Sequence, residues 1–543
     1  MTTLLRHPLL GLIRGRAVPQ TDIVQYLGIP YATISQRFAR PQTRLDLPRL
    51  QAEEAFDATR AGPECIQPEN ATQTDCEGNQ FPSKGFEEQP QAEDCLYLNV
   101  TVPKSLPAAS LPVVVFIHGG AYFLGSASRP YYSPINFLRH ALDTGRSHIF
   151  VSFNYRLGAL GFLHSSEAEA LIPANNGLHD QLCAFEWIRR NIAGFHGDAA
   201  RITALGQSAG GESVSLHSIS GSSTPLYRQM IAFSGSPVTM PCKTPEQHQE
   251  NFLKLAKKLE VEHIEDKTSH QIAQEFINAP TDKIRKLAFV GAPCSSSEIL
   301  PYNKPTMALA RSKPSSNVTW LKRAIYSSCT YDGSISYNIL SKAGKKDNAR
   351  TFIQNCQNSL PNSAADELLK LYQISESDSD SEALEKICQF ESDIGFFAAS
   401  LAAVQGSPAQ TRYLQIFDLK NPFKAGGYLA EGEFATHTWD IVSLLGNYDD
   451  ILDKDYLGKI RQWRDRILDF IHEKDSPWPK WEDENASALK VDKAGLHILS
   501  YNEYMDEEDQ RRRKLLALAE RTRGEQGWDY FWEGVCRKWL DSS

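Results

Sequence analysis

The stretch Ile202-Thr203-Ala204-Leu205-Gly206-Gln207-Ser208-Ala209-Gly210-Gly211-Glu212-Ser213-Val214-Ser215 decides the fold. A short apolar run reads as a strand, and the residues after Gly211 take on a helix-like pattern, so the glycines between them mark a strand-to-helix turn. Gly206-Gln207-Ser208-Ala209-Gly210 is a GxSxG elbow. A serine hydroxyl is a weak nucleophile until a base takes its proton, so it must project from the backbone toward that base. The sharp turn forces the serine into a strained conformation, and glycines two residues to either side keep backbone and helix from colliding with it.

Upstream, Val113 to Ile117 reads VVVFI and is followed directly by His118-Gly119-Gly120-Ala121-Tyr122. A glycine-rich turn at a strand end can aim backbone N–H groups at the negative oxygen of a tetrahedral intermediate. The base and its orienting acid are expected downstream in the order serine, acid, histidine. Asp332, in Thr330-Tyr331-Asp332-Gly333-Ser334, and His437, in Ala435-Thr436-His437-Thr438-Trp439-Asp440, lie in that order, but spacing alone does not single them out.

Around these motifs the organisation is that of an α/β protein. Ile149 to Tyr155, Arg323 to Ser328 and Arg412 to Phe417 are strand-like, and the segment from about 347 to 402 is largely helical. Unbroken apolar strands alternating with helices predict a mostly parallel central sheet covered on both faces. At ~150 residues per domain, 543 residues would make three or four domains. No repeat or linker divides the chain, however, and the motifs span most of it, which predicts a single domain over 1–543.

Composition narrows the function. With 41% hydrophobic and 23% charged residues the chain is neither disordered nor collagen-like. Lys and Arg number 57 against 66 Asp and Glu, a net charge of −9 that repels nucleic acid. No run approaches the ~18 consecutive apolar residues of a membrane span. The N-terminal cluster Leu9, Leu10, Leu12 and Ile13 is broken by Gly11 and too short for a secretory signal, so an intracellular, cytoplasmic protein is expected. Ten cysteines without zinc spacing predict no structural metal. Two charged stretches, Ser375 to Glu382 and Asp506 to Lys514, read as hydrated surface without function.

Longer strings carry a resemblance. LGIPYA (Leu27 to Ala32), RFARP (Arg37 to Pro41), EDCLYLNV (Glu93 to Val100), NYRLGALGFL (Asn154 to Leu163), NNGLHDQ (Asn175 to Gln181) and NIAGFHGD (Asn191 to Asp198) resemble the signatures of the type-B carboxylesterase family. Those α/β-hydrolases include cholinesterases, bile-salt-type lipases and fungal esterases, and the likeness, strongest to the fungal members, covers nearly the whole chain. It implies the α/β-hydrolase fold, Ser208 as nucleophile, His437 as base, Asp332 as orienting acid, and backbone N–H groups of Gly120, Ala121 and Ala209 as the oxyanion hole. It also implies that Cys65 and Cys95 pair as a disulfide, in tension with an intracellular setting.

Departures refine the expectation. The acid is Asp where the family often has Glu, so its loop must sit closer to His437. Gln207 stands where Glu is common, which removes a negative charge beside the serine, and the 65–95 loop holds no Trp; both weaken the case for a choline ester. That loop would be the lid, and it carries Glu69, Asp75, Glu77, Glu87, Glu88, Glu93 and Asp94 against Lys84, which speaks against docking on lipid. The expected protein is a monomeric or weakly associating serine esterase acting on a soluble small-molecule ester without cofactor. An acyltransferase or lactone-forming enzyme is the alternative, and a non-catalytic binding module a third.

Overall fold

Val113, Val115 and Ile117 face one layer of the core and Val114 and Phe116 the other, all of them fully buried. A strand whose alternate residues both need cover lies inside a sheet sandwiched by helices, and the computed structural model shows that sheet. It describes residues 2–48, 54–220, 224–287, 291–300, 304–312, 318–424, 426–474, 476–482 and 485–542.

The strands of the main sheet are β1 (Thr2–His7), β2 (Gly11–Ala17), β3 (Ile23–Pro30), β4 (Tyr97–Pro103), β5 (Leu111–Ile117), β6 (Ile149–Phe153), β7 (Gly197–Gln207), β8 (Gln229–Phe233), β9 (Arg323–Cys329), β10 (Thr411–Phe417), β11 (Ser487–Asp492) and β12 (Gly495–Ser500). They run in the order β1-β2-β3-β4-β6-β5-β7-β8-β9-β10-β11-β12, with Phe56–Asp57 pairing beside β2. From β6 to β11 every pairing is parallel, as expected. Both margins are antiparallel: β1 to β4 and β6 on one side, β11 and β12 on the other. The sheet is therefore mixed rather than nearly all parallel. β3-β4 and β4-β6 pair antiparallel across long stretches of chain, whereas short connections, which can join only antiparallel neighbours, account for β1-β2, β2-β3 and β11-β12. Leu9 and Leu10 fall in one such turn, and of that N-terminal apolar cluster Leu10 and Ile13 are buried in the core while Leu9 is exposed.

Register positions the site. Ile117 pairs with Gly206 and Gln207 with Phe233, so the turn after β5 lies beside the turn after β7. Cys329 pairs with Phe417, which brings the loops after β9 and β10 to the same edge. That edge is the carboxyl end of the parallel strands, where open α/β sheets bind ligands.

The helices relevant to the site are α1 (Ala71–Gly78), α2 (Ala209–Ile219), α3 (Asp380–Gly406) and α4 (Trp439–Leu445). Helix α3 ends the helical stretch expected from 347. It is long and apolar enough to cross a bilayer, but 94% of its apolar window is buried in this core. A count of consecutive apolar residues misses it because polar residues interrupt the run.

Two readings change. The segment 506–514 is not simply hydrated: Arg512 is 1% exposed, and Arg511 and Arg512 both pair with buried Asp393 of α3. The acidity of the 65–95 segment is also largely used internally. Asp75 accepts a hydrogen bond from Tyr131, Glu88 caps the start of α1 through the Thr72 and Gln73 N–H groups, and Glu93 binds Arg37. The segment is anchored by Arg129, buried with Glu64 at 2.8 Å and hydrogen-bonded to Gln67 and Thr72. Cys65 and Cys95 are both buried and free, with Cys65 Sγ accepting from the Leu157 N–H at 3.2 Å. The hydrogen bond that the Cys95 thiol gives to Cys65, with burial, pushes the Cys95 thiol well up.

Candidate active site

Ser208 sits between β7 and α2 at φ 55°, ψ −128°, a region that non-glycine residues avoid. Such strain persists only where the surroundings fix it. A Cβ on Gly206 would stand 2.2 Å from the Gly210 carbonyl oxygen, and one on Gly210 would stand 2.0 Å from that of Ile117. The two glycines are thus required by contact, as the elbow reading predicts. Ser208 is partly exposed, and its hydroxyl bonds to no side chain or backbone group among the described residues.

The turn after β5 carries Gly120 at φ 104°, Ala121 at φ 52° and Tyr122 at φ 58°. Gly120 closes it by accepting from the N–H groups of Phe123 (2.9 Å) and Leu124 (2.8 Å). The N–H groups of Gly120, Ala121 and Ala209 have no acceptor among the described residues. Ala209 is the first residue of α2, where helix geometry leaves N–H groups free and favours negative charge. His118, beside them, is stacked on Tyr155 at 4.6 Å and held down to about 4 by burial, so it is a neutral structural imidazole.

Asp332 and His437 are in direct contact: Nδ1 of the imidazole donates to Oδ1 at 2.7 Å, with both residues buried. Their loops are joined by a bridge between Tyr331 and Thr436. Asp332 Oδ2 accepts from the Cys329 N–H at 2.8 Å, and Ser334 Oγ accepts from the His437 N–H at 2.8 Å. The other imidazole nitrogen, Nε2, lies 3.2 Å from the carboxamide nitrogen of Gln207, the residue preceding Ser208. The structure thus brings the six expected positions, Gly120 and Ala121 after β5, Ser208 and Ala209 after β7, Asp332 after β9 and His437 after β10, to one edge.

Residues that carry no motif complete the setting. Within α3, Ser392–Phe397 is π-helical, a local expansion often found at functional sites. From it Ser392 Oγ accepts from the Gly333 N–H at 2.9 Å, next to the acid, and the Phe396 ring packs on His437 at 5.3 Å. Ser334 could have been suspected from its place in the acid's loop. Phe396 could not, because its register depends on the expansion.

Two further carboxyls surround the pair without joining it. Burial first, then the Asp332 charge, raises Asp440 to about 7. Burial pushes Glu391 up to about 8, against a hydrogen bond from Ser336. Native Glu391 therefore keeps its proton to about pH 8, whereas the unfolded chain sheds it above the ordinary 4.5. Between those limits the unfolded state binds fewer protons, so stability falls as pH rises, by about 1.4 kcal/mol per unit. Glu391→Gln, which retains the neutral shape, is expected to melt at the wild-type temperature at pH 5 and above it at pH 8, as thermal scans at the two pH values would show. Glu212, one turn into α2, is likewise driven well up by burial, against the hydrogen bond it accepts from the Met240 N–H.

Among the described residues one trio, His263, Glu265 and Asp266, brings three possible metal ligands within 4.8 Å of one another, and all three are exposed side chains.

Known proteins resemble the chain in sequence and in fold. Residues 2–454 match the model of the Carboxylesterase family. The chain is 34% identical over 279 residues to the para-nitrobenzyl esterase of Bacillus subtilis (strain 168), covering 51% of this chain and 52% of that protein. It is 39% identical over 244 residues to the juvenile hormone esterase of Tribolium castaneum, covering 43% and 37%. With the bile salt-activated lipase of Rattus norvegicus it shares 38% over 256 residues, covering 46% and 36%. The matched region thus spans about half or less of each of these relatives. A solved PNB esterase structure superimposes with a TM-score of 0.71 over 95% of this chain and 100% of that one, at 23% identity, which speaks for the fold. With its α/β-hydrolase sheet and a family match over most of its length, the chain belongs to the carboxylesterase family.

Proposed function

We propose that the protein is a serine carboxylic-ester hydrolase that works through an acyl-serine. The observation that carries this reading is the 2.7 Å contact between Asp332 and His437, set beside a partly exposed, strained Ser208. Asp332 fixes the proton on Nδ1, which leaves Nε2 unprotonated and able to take a proton from Ser208 Oγ. Oγ attacks the acyl carbon, and the carbonyl oxygen gains negative charge against the N–H groups of Gly120, Ala121 and Ala209. Each such donor is worth about 2.7–4 kcal/mol in the transition state. The imidazolium then protonates the departing alcohol. Water, deprotonated by the same nitrogen, releases the acid and restores the serine.

The substrate is proposed to be a soluble small-molecule ester. The acidity of the 65–95 segment supports this less than its packing does: Ile66 and Phe81 are already buried, which leaves no broad apolar face to enter a lipid surface. A fluorophosphonate should attach to Ser208, located by peptide mass, and short-chain p-nitrophenyl esters should turn over faster than emulsified triglyceride. Label at another residue would overturn the serine assignment, and preference for the emulsion would overturn the substrate class.

A further inference from the structure

Gln207 is the last residue of β7 and 1% exposed. Its backbone belongs to the strand, and its side chain reaches across the elbow to His437 Nε2, 3.2 Å from the carboxamide nitrogen. Because Nδ1 gives its proton to Asp332, Nε2 of the resting imidazole carries a lone pair, and the amide N–H is the donor that satisfies it. The carboxamide is held from the other side by the turn after β5. A Cβ on Gly119 would lie 2.8 Å from Gln207 Oε1 and 2.9 Å from Ser208 Cβ, so the absence of that carbon makes the room. In this arrangement Ser208 Oγ has no hydrogen bond to the base, and Gln207 occupies the nitrogen that must receive the serine's proton.

We propose that Gln207 is a positioning residue that holds His437 in its neutral, base-competent form between turnovers and yields Nε2 to Ser208 when substrate binds. The inference rests on the acyl-serine reading above and assigns a role to a residue outside the nucleophile, base and acid. An amide suits this place for a chemical reason. It donates to the neutral imidazole, and by turning over it can accept from the imidazolium that forms during attack. A carboxylate there can only accept, so it opposes the neutral imidazole and favours the charged one.

The other titratable groups around His437 come from four elements. Asp332 lies in the loop after β9, Asp440 is at the start of α4, Asp75 reaches in from α1, and Glu391 lies on α3, where it acts on Asp332. All four are acidic, and all remain when position 207 is changed, so a difference between variants reads Gln207 alone.

The test is the pH dependence of kcat/KM on p-nitrophenyl acetate for the wild type, Gln207→Glu and Gln207→Met. In Gln207→Glu the acid limb should move to higher pH by about one unit, a tenfold loss on that limb with a smaller loss on the plateau. Gln207→Met keeps the length but donates nothing; its acid limb should move in the same direction by less, with kcat lowered more than KM is raised. If either folded variant follows the wild-type acid limb, the inference fails, and the methionine variant decides alone if the glutamate variant does not fold. Failure of the underlying reading looks different: the wild type would then show no fluorophosphonate label on Ser208.

Discussion

Ser208→Ala is expected to lower kcat on p-nitrophenyl acetate by about 10⁶-fold, the order of loss when a serine hydrolase is deprived of its nucleophile. The loss should not be a folding defect. Alanine removes one oxygen that bonds to no described residue and leaves the Cβ in its place against Gly119. The backbone strain at φ 55° stays the same, because alanine is no freer there than serine. The melting temperature should therefore match the wild type within a degree or two, or rise. Fluorophosphonate labelling should vanish with activity. The free N–H groups of Gly120, Ala121 and Ala209 persist, so a small residual rate above water alone is expected from them. Turnover near the wild-type value would remove Ser208 as the nucleophile, and the acyl-serine with it.

The parts of this site legible in the sequence are those where chemistry and backbone geometry constrain the same short stretch. At the elbow the glycines flanking Ser208 are demanded by contacts of about 2 Å, and the turn after β5 needs Gly120 at positive φ, so both leave spelled motifs. Asp332 and His437 are legible only in the light of a family resemblance, because a lone Asp-Gly or histidine says nothing about which strand ends meet. Contacts made by side chains from distant elements leave no local pattern. The reach of Gln207 to His437, the Phe396 ring on the imidazole and the pairing of Arg511 and Arg512 with Asp393 all depend on packing across the core. The same holds for the acidic 65–95 segment. Its composition is visible, but whether an acid faces water or a buried Arg129 is settled by the fold. In the sheet, the parallel centre follows from unbroken apolar strands. The antiparallel margins depend on connection length and edge pairing, which composition does not report.

Asp332→Asn is expected to reduce kcat/KM by about 10⁴-fold, the cost of holding the base in the wrong tautomer. The direction follows from the second oxygen of the carboxylate. Oδ2 accepts from the Cys329 N–H at 2.8 Å, and that donor cannot be satisfied by an amide nitrogen. The asparagine oxygen must therefore stay on the Cys329 side, which turns its NH2 toward His437 Nδ1. A donor facing Nδ1 requires a lone pair there, so the imidazole proton moves to Nε2, the nitrogen that should receive the serine's proton. The site keeps its shape and loses its base. The Gln207 carboxamide can follow by turning its oxygen to the new Nε2–H, which would lock the inactive tautomer further. Stability should hold or improve, because the substitution removes a buried charge that helps raise both Asp440 and Glu391. The measurement is kcat/KM on p-nitrophenyl acetate beside a thermal scan. A folded variant within tenfold of the wild type would mean that Asp332 does not set the tautomer of His437.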